Sequence, residues 1–335
     1  MTKKIPPNAI ETEVFQTLSN YGFTERKQAK TIDTYEIDSD FILQVFTDRV
    51  NAFDFDLNAT VPDKGQISAA LNYLWFMQIF PDFPNHLANT NGINDIHNFA
   101  STYPGIDKKR CFIIRNLSKD ILKTKYVLRE HIGGAVYEEY KKFGTASGQR
   151  LKPNLSKWSK LRKPIFTPKQ KNLIGHDEIY DTESFFNETK DAGKEWIDKL
   201  LELCTRAYAY TGKRGIIFMD TRFEGTLTTL TKEILTTDST RFILKKDWKR
   251  AMKLNIEPDF FDNTPIKKWA RSIPTPFSVQ GLNNLDPSDP IHISWVHKLS
   301  VPKKVIAETA FNEHTIFELL AGMSLENFQK KIMNC

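Results

Sequence analysis

The chain has 335 residues, 40% of them apolar and 26% charged, which is the composition of a folded protein and not of a disordered one. The net charge of +6 permits an anionic small substrate and is too mild to mark a nucleic-acid binder. The three cysteines, Cys111, Cys204 and Cys335, lie far apart with no C-x-x-C pair, which argues against a disulfide framework or a zinc ribbon.

A length beyond roughly 250–300 residues predicts two packed lobes. Residues 1–24 read as an N-terminal helix or arm. Between residues 30 and 62 apolar and polar positions alternate, and Tyr35, Ile37, Phe41, Leu43 and Val45 predict two strands joined by Asp38-Ser39-Asp40. Ile67, Leu71, Leu74 and Trp75 follow helical spacing up to Pro81, which ends the element. Strands are predicted at Cys111–Arg115 and Tyr126–Glu130. Residues 141–175, rich in Lys, Gly and Pro, read as a long functional loop. Trp196, Ile197, Leu200, Leu203, Cys204 and Ala207 form one stripe, predicting a helix over 189–211 with Gly212 at its end. Strands then follow over 215–223 and around 227–235, with helices near 304–320 and 325–333. Strands, helix, strands, loop, helix, strands and helices in this order make an α+β pattern. The N-terminus lacks the apolar run of a signal peptide, and no stretch is long enough to span a bilayer, so a cytoplasmic protein without a membrane partner is expected.

The chain contains no P-loop, no G-x-G-x-x-G and no G-x-S-x-G. Its chemistry-bearing residues fall instead in four clusters. Thr47–Asp54 packs Asp48, Arg49 and Asp54 beside apolar residues, and a salt-bridged turn is its plainest reading. Pro164–Pro168 with Lys171 and Gly175–Glu178 forms a stiff, polar stretch. Asp220, Arg222 and Glu224 alternate along a strand and share a face. Spaced carboxylates of this kind suit Mg²⁺, which takes oxygen ligands and bridges to phosphates; an internal ion pair is the competing reading. Thr236–Phe242 carries Arg241, whose planar fork suits a phosphate.

Taken in order, these segments resemble the SAICAR synthetase family over roughly residues 27–322. Thr47–Asp54 is similar to [ST]-D-R-x-[SN]-A-[FY]-D, and Pro62 to Gly65 to P-x-K-G. Trp75-Phe76 and Asn85-His86-Leu87 match the segments that follow. Arg129 to Tyr140 is similar to R-G-Y-x-x-G-S-x-W-x-E-Y. Pro164–Pro168, Lys171 and His176–Glu178 are similar to P-I-F-T-P-x-x-K…H-D-E. Gly215–Glu224 is similar to G-I-I-x-x-D-T-K-F-E, Ile234–Phe242 to V-L-T-P-D-S-S-R-F, and Val301 to Gly322 to the final helix.

The resemblance implies a two-lobed α+β fold with an ATP cleft between antiparallel-sheet lobes, here residues 25–122 and 123–322, followed by a tail over 323–335. It implies an ATP-dependent ligase that joins L-aspartate to the carboxylate of an aminoimidazole ribonucleotide, with ATP and Mg²⁺ as cofactors and these small-molecule substrates, not nucleic acid or membrane, as partners. By this resemblance Lys30 and Lys27 would meet nucleotide phosphates, with His176 and Asp177 also at the nucleotide. Asp48, Arg49, Arg129, Arg241 and Ser239 would bind the ribonucleotide. Asp220, Arg222 and Lys171 would be catalytic, and Glu224 and Glu233 would hold the metal. The chain departs from the family pattern at Ala29, Ile32, Glu130, Ala135 and Lys232. These departures leave two other readings open: a ligase diverged to another carboxylate or amine, and a silent nucleotide-binding relative.

Overall fold

The computed structural model describes residues 12–23, 26–87, 96–117, 119–170, 178–231 and 235–335. They divide into two compact units. The first draws its described residues from Met1–Pro81, Asn85–Lys119 and Asn263–Cys335, and the second from Asp82–Pro84 and Asp120–Asp262.

In the first unit, β1 (Arg26–Gln28), β2 (Ile32–Glu36) and β3 (Phe41–Phe46) form an antiparallel meander. The β2–β3 turn falls where Asp38-Ser39-Asp40 predicts it. The Asp38 carboxylate accepts from the Asp40 and Phe41 amides, each at 2.8 Å, an Asx turn that fixes the register. A second hairpin follows, β4 (Arg49–Ala52) and β5 (Phe55–Thr60), with Phe53 and Asp54 at φ 52° and 66°. Two central residues at positive φ match the twist that a tight hairpin needs. β6 (Cys111–Arg115) completes the sheet in the order β1-β2-β3-β6. The helix Lys64–Tyr73 runs on into a wider π turn, Leu74–Ile79, and Trp75 stacks on Phe80 at 5.7 Å.

A two-stranded hairpin is marginal by itself and must bury its apolar face on something else. Here the cover comes from the far end of the chain. Val50, Ala52, Phe55, Leu57 and Val61 share one core with Ile266, Ala270, Leu282 and Val296. The helices Thr264–Ser272, Pro290–Val296 and Lys303–Ala321 therefore fold with the N-terminal unit. This differs from the division at residue 122, which gave 123–322 to one lobe. The tail over 323–335 belongs to the same unit. Phe328 packs edge-on to Phe317 and Tyr73, with centroids at 5.5 and 6.3 Å, and Gln329 Nε2 donates to Gln66 Oε1 at 2.8 Å.

The second unit is built on β7 (Thr124–His131). It adds the short hairpin β8 (Thr145–Ala146) and β9 (Gln149–Arg150), then β10 (Lys160–Phe166), β11 (Lys169–Gln170), β12 (Glu178–Ile179), β13 (Ile216–Gly225), β14 (Leu230–Thr231) and β15 (Thr240–Leu244). The main sheet runs β12-β11-β7-β13-β14, with β10 on β7 and β15 on β13. The long loop expected over 141–175 thus contains a seven-residue strand, β10. Its sequence hides this. Lys160, Arg162 and Lys163 are exposed, and Pro164 cannot donate to a ladder, so the strand reads as polar punctuation. The helix Thr182–Gly212 begins earlier than predicted, capped by the Asp181 carboxylate on the Glu183 and Ser184 amides. Lys190 is non-helical inside it, which is why the apolar stripe becomes regular only beyond that point. The strand expected around 227–235 is shorter in the described residues, Leu230–Thr231, and β15 and the helix Lys245–Leu254 were not anticipated.

Phe328 is 2% exposed, so the tail is part of the core. Phe328→Ala is expected to cost about 3–5 kcal/mol in a urea unfolding titration. A loss below about 1 kcal/mol would mean that the tail only rests on the surface.

Candidate active site

In the second unit, β7 and β13 run antiparallel with Asp220 directly opposite Arg129, and β15 lies on the other edge of β13. Three charged residues distant in sequence meet there. Arg129 Nη1 donates to Asp220 Oδ2 at 2.5 Å, and Arg129 Nε donates to Thr167 Oγ1 at 2.8 Å. Arg241 Nε donates to Asp220 Oδ1 at 2.8 Å, and Arg241 Nη2 donates to Asp220 Oδ2. One carboxylate therefore holds two guanidinium groups.

The surroundings make this arrangement rigid. Asp220 is 2% and Arg129 6% exposed. Burial alone would push the Asp220 carboxyl up, but Arg241 and Arg129 outweigh it and hold the group well below the usual carboxylate range. Burial brings Arg129 down to about 10, offset in part by Asp220, so it stays charged at neutral pH. Burial also opposes the charge on Arg241, and Asp220 overcomes it and raises that group. The Arg241 guanidinium lies 4.9 Å from the Trp158 ring and 5.4 Å from Phe260. Trp158 sits over Gly133, where a Cβ would fall 2.1 Å from the indole. Gly134 adopts φ 62° at the start of the helix Ala135–Phe143, and a Cβ there would lie 3.9 Å from Arg241 Nη1. Arg241 Nη1 thus sits beside a helix N-terminus, whose partial positive charge also favours an anion. A buried guanidinium and a half-buried one thus share the Asp220 carboxylate, and the charges of Asp262 and Glu257 also act on Arg241.

The unbroken pairing of Asp220–Phe223 with Tyr126–Arg129 preserves alternation, so Asp220, Arg222 and Glu224 stay on one face as predicted. Arg222 is exposed and Glu224 half-buried, opposite Thr231. The Ser239 hydroxyl binds within its own turn, to the Thr236 amide and carbonyl at 3.0 and 3.2 Å, while its carbonyl accepts from the Arg222 amide. Glu130 and His131, next to Arg129, are buried as well. Burial raises the Glu130 carboxyl to about 7, with Lys160 offsetting part of the rise, and lowers His131 to about 4, with Lys160 adding to the fall.

In the first unit, the Asp48 carboxylate accepts from the Gly65 amide at 2.7 Å and from Arg110 Nη2 at 3.2 Å. Arg49 is buried against Asp33, with Nη1 at 3.0 Å from Oδ2 and Nη2 at 2.5 Å from Oδ1. Lys27 is exposed on β1, and the Lys30 ammonium pairs with Asp54. Of the predicted site residues, Asp220, Arg129 and Arg241 are brought together, and Asp48, Arg49, Lys27 and Lys30 lie in the other unit. Lys171, His176, Asp177 and Glu233, with Lys232, lie outside the described residues. Sequence reasoning missed Trp158, Phe260 and Asp33. The one sequence signal for the first is the Gly133-Gly134 pair, which marks a place where another group closes on the backbone.

The SAICAR synthetase family profile matches residues 26–277. The phosphoribosylaminoimidazole-succinocarboxamide synthase of Neisseria meningitidis serogroup C is 32% identical over 264 residues, covering 75% of this chain and 87% of the relative. The synthase of that name from Corynebacterium ammoniagenes is 31% identical over 321 residues, covering 93% and 98%. Among solved structures, the SAICAR synthase of Saccharomyces cerevisiae, complexed with SAICAR, superposes with a TM-score of 0.74 at 21% identity, covering 97% of this chain and 99% of that one. An α+β fold built around a buried arginine–carboxylate cluster is the class defined here. The chain belongs to the SAICAR synthetase family.

An acid whose folded pKa is raised loses folded-state stability as pH climbs from its unfolded value to its folded one. For Glu130 that window runs from about 4.5 to about 7. His131 acts in the opposite sense, losing stability as pH falls from about 6.5 to about 4. The difference between Glu130→Gln and wild type isolates the first effect. It is expected to grow in favour of the variant by on the order of 3 kcal/mol between about pH 5 and about pH 8 in chemical unfolding. A pH-independent difference would show that Glu130 titrates as an exposed acid does.

Proposed function

We propose that this chain is an ATP-dependent amide ligase that joins L-aspartate to carboxyaminoimidazole ribonucleotide through an acyl phosphate. The observation that supports the reading is the Arg129–Asp220–Arg241 cluster: two guanidiniums anchored on one buried carboxylate, one of them beside a helix N-terminus, suit an anionic ligand. The names of the relatives supply the reaction.

A carboxylate is a poor electrophile because its oxygen is a poor leaving group. Transfer of the ATP γ-phosphoryl group to that oxygen gives an acyl phosphate and ADP. The aspartate amine then attacks the carbonyl carbon, the C–O bond to phosphate breaks, and the amine loses a proton as the amide forms. In this reading Arg129 and Arg241 grip the ribonucleotide, and Asp220 fixes both of them. A carboxyl held so far down is unsuited to act as a base at neutral pH, so Asp220 works by position and field. Arg222, exposed on the same strand, would meet phosphate charge as it develops. Lys27 and Lys30 would meet the ATP phosphates.

Mg²⁺ suits this donor set. Glu224 is a half-buried carboxylate on the site's strand, and phosphate oxygens would complete the shell, with Glu233 as the second protein ligand. When bound, the ion would neutralise phosphate charge during transfer.

Purified protein with ATP, Mg²⁺, aspartate and the ribonucleotide is expected to yield ADP and the amide in equal amounts. Arg241→Ala is expected to weaken ribonucleotide binding by about 1.5–3 kcal/mol in titration calorimetry, the scale of charged hydrogen bonds. ADP release without the amide, or unchanged binding in the variant, would contradict the reading.

A further inference from the structure

Resting on the reading that Lys27 and Lys30 meet the ATP phosphates, we propose that Arg49 is a positioning residue that holds the turn over residues 29–32 in shape and does not touch the ribonucleotide. The resemblance to the family motif gave Arg49 a substrate contact. The geometry points elsewhere. The β1–β2 hairpin closes with the Ala29 amide on the Ile32 carbonyl at 2.9 Å. All three carbonyls from Ala29 to Thr31 are then tied down from the segment that leads into β4. Arg49 Nη2 donates to the Ala29 carbonyl at 3.0 Å, and Arg49 Nε donates to the Lys30 carbonyl at 3.3 Å. The Thr47 amide and hydroxyl both donate to the Thr31 carbonyl, each at 2.8 Å.

Arg49 spends its whole side chain on this work. Each of its three nitrogens donates inward, two of them to Asp33, and the side chains of Arg49 and Asp33 are 4% and 6% exposed. A guanidinium that is buried, and whose charge is met by a buried carboxylate, has little field left for a distant anion. Carbonyl oxygens repel phosphate, so drawing three in a row onto Arg49 and Thr47 removes them as competitors for the ligand's charge. The tip of the β4–β5 hairpin acts on the same turn, because Asp54 pairs with the Lys30 ammonium. Arg49 thus holds the backbone of the turn and Asp54 holds its side chain. A turn ordered before the nucleotide arrives avoids the entropy cost of ordering on binding.

The test compares Arg49→Lys, Asp33→Asn and Thr47→Val in the full chain. Steady-state kinetics give the KM for ATP, ribonucleotide and aspartate, and calorimetry with ADP gives its Kd. Lysine keeps the charge of Arg49 but cannot bridge two carbonyls and a carboxylate. Arg49→Lys and Asp33→Asn are expected to raise the ATP KM and the ADP Kd roughly tenfold, with a smaller rise in Thr47→Val and a ribonucleotide KM within about twofold of wild type. Asp33 itself can only repel a phosphate, so an equal effect from its amide variant marks a shared positioning role. A raised ribonucleotide KM with an unchanged ATP KM in Arg49→Lys would overturn the proposal, as would an unchanged ADP Kd in Asp33→Asn. If Arg49→Lys does not fold, the other two variants decide the question by the same criteria. Wild-type protein that fails to bind ADP would instead remove the functional reading beneath the proposal.

Discussion

The Arg129–Asp220–Arg241 cluster depends on one buried carboxylate. Two guanidiniums placed side by side in a low-dielectric interior repel each other and are costly to desolvate. Asp220 makes the arrangement stable by lying between Arg129 and Arg241 and accepting from both. Removing one partner from such a buried group costs about 3–5 kcal/mol, so the cluster stands or falls as a unit. The strand register secures it. Asp220 faces Arg129 across the β7–β13 ladder, and β15 brings Arg241 in from the opposite edge. The aromatic rings of Trp158 and Phe260 then pack against Arg241.

The first unit uses the same device for a different end. Arg49 and Asp33 form a buried pair, but there the guanidinium spends its donors on main-chain carbonyls. Two motif arginines thus stand in opposite settings. Arg241 keeps Nη1 beside the N-terminus of the helix Ala135–Phe143, while Arg49 faces inward. Exposure and remaining donors separate the two, and neither can be read from residue type.

Sequence pattern made the regular elements legible. The Asp38–Asp40 turn, the stripe from Trp196 to Ala207 and the strand leading to Asp220 each follow from periodicity and turn chemistry. It was blind where tertiary context decides. β10 is an edge strand with exposed lysines and a proline, and nothing local marks it as part of a sheet. The cover for β4–β5 comes from some two hundred residues downstream, so the unit boundary could not be placed from local composition. At the site, the charged residues were visible as types in long, irregular motifs. Their pairing was not, because Asp220 with Arg129 spans ninety-one positions, and Trp158 carries no charge to draw notice.

The central claim is that Asp220 serves binding by holding two arginines, although its own charge has the wrong sign for an anionic ligand. Titration calorimetry of the ribonucleotide into Asp220→Asn tests this most directly, because the amide keeps the shape and removes the charge. The account predicts affinity weakened by about tenfold or more as the two guanidiniums lose their common anchor. Tighter binding, the result that simple removal of a negative charge from an anion site would give, would contradict it.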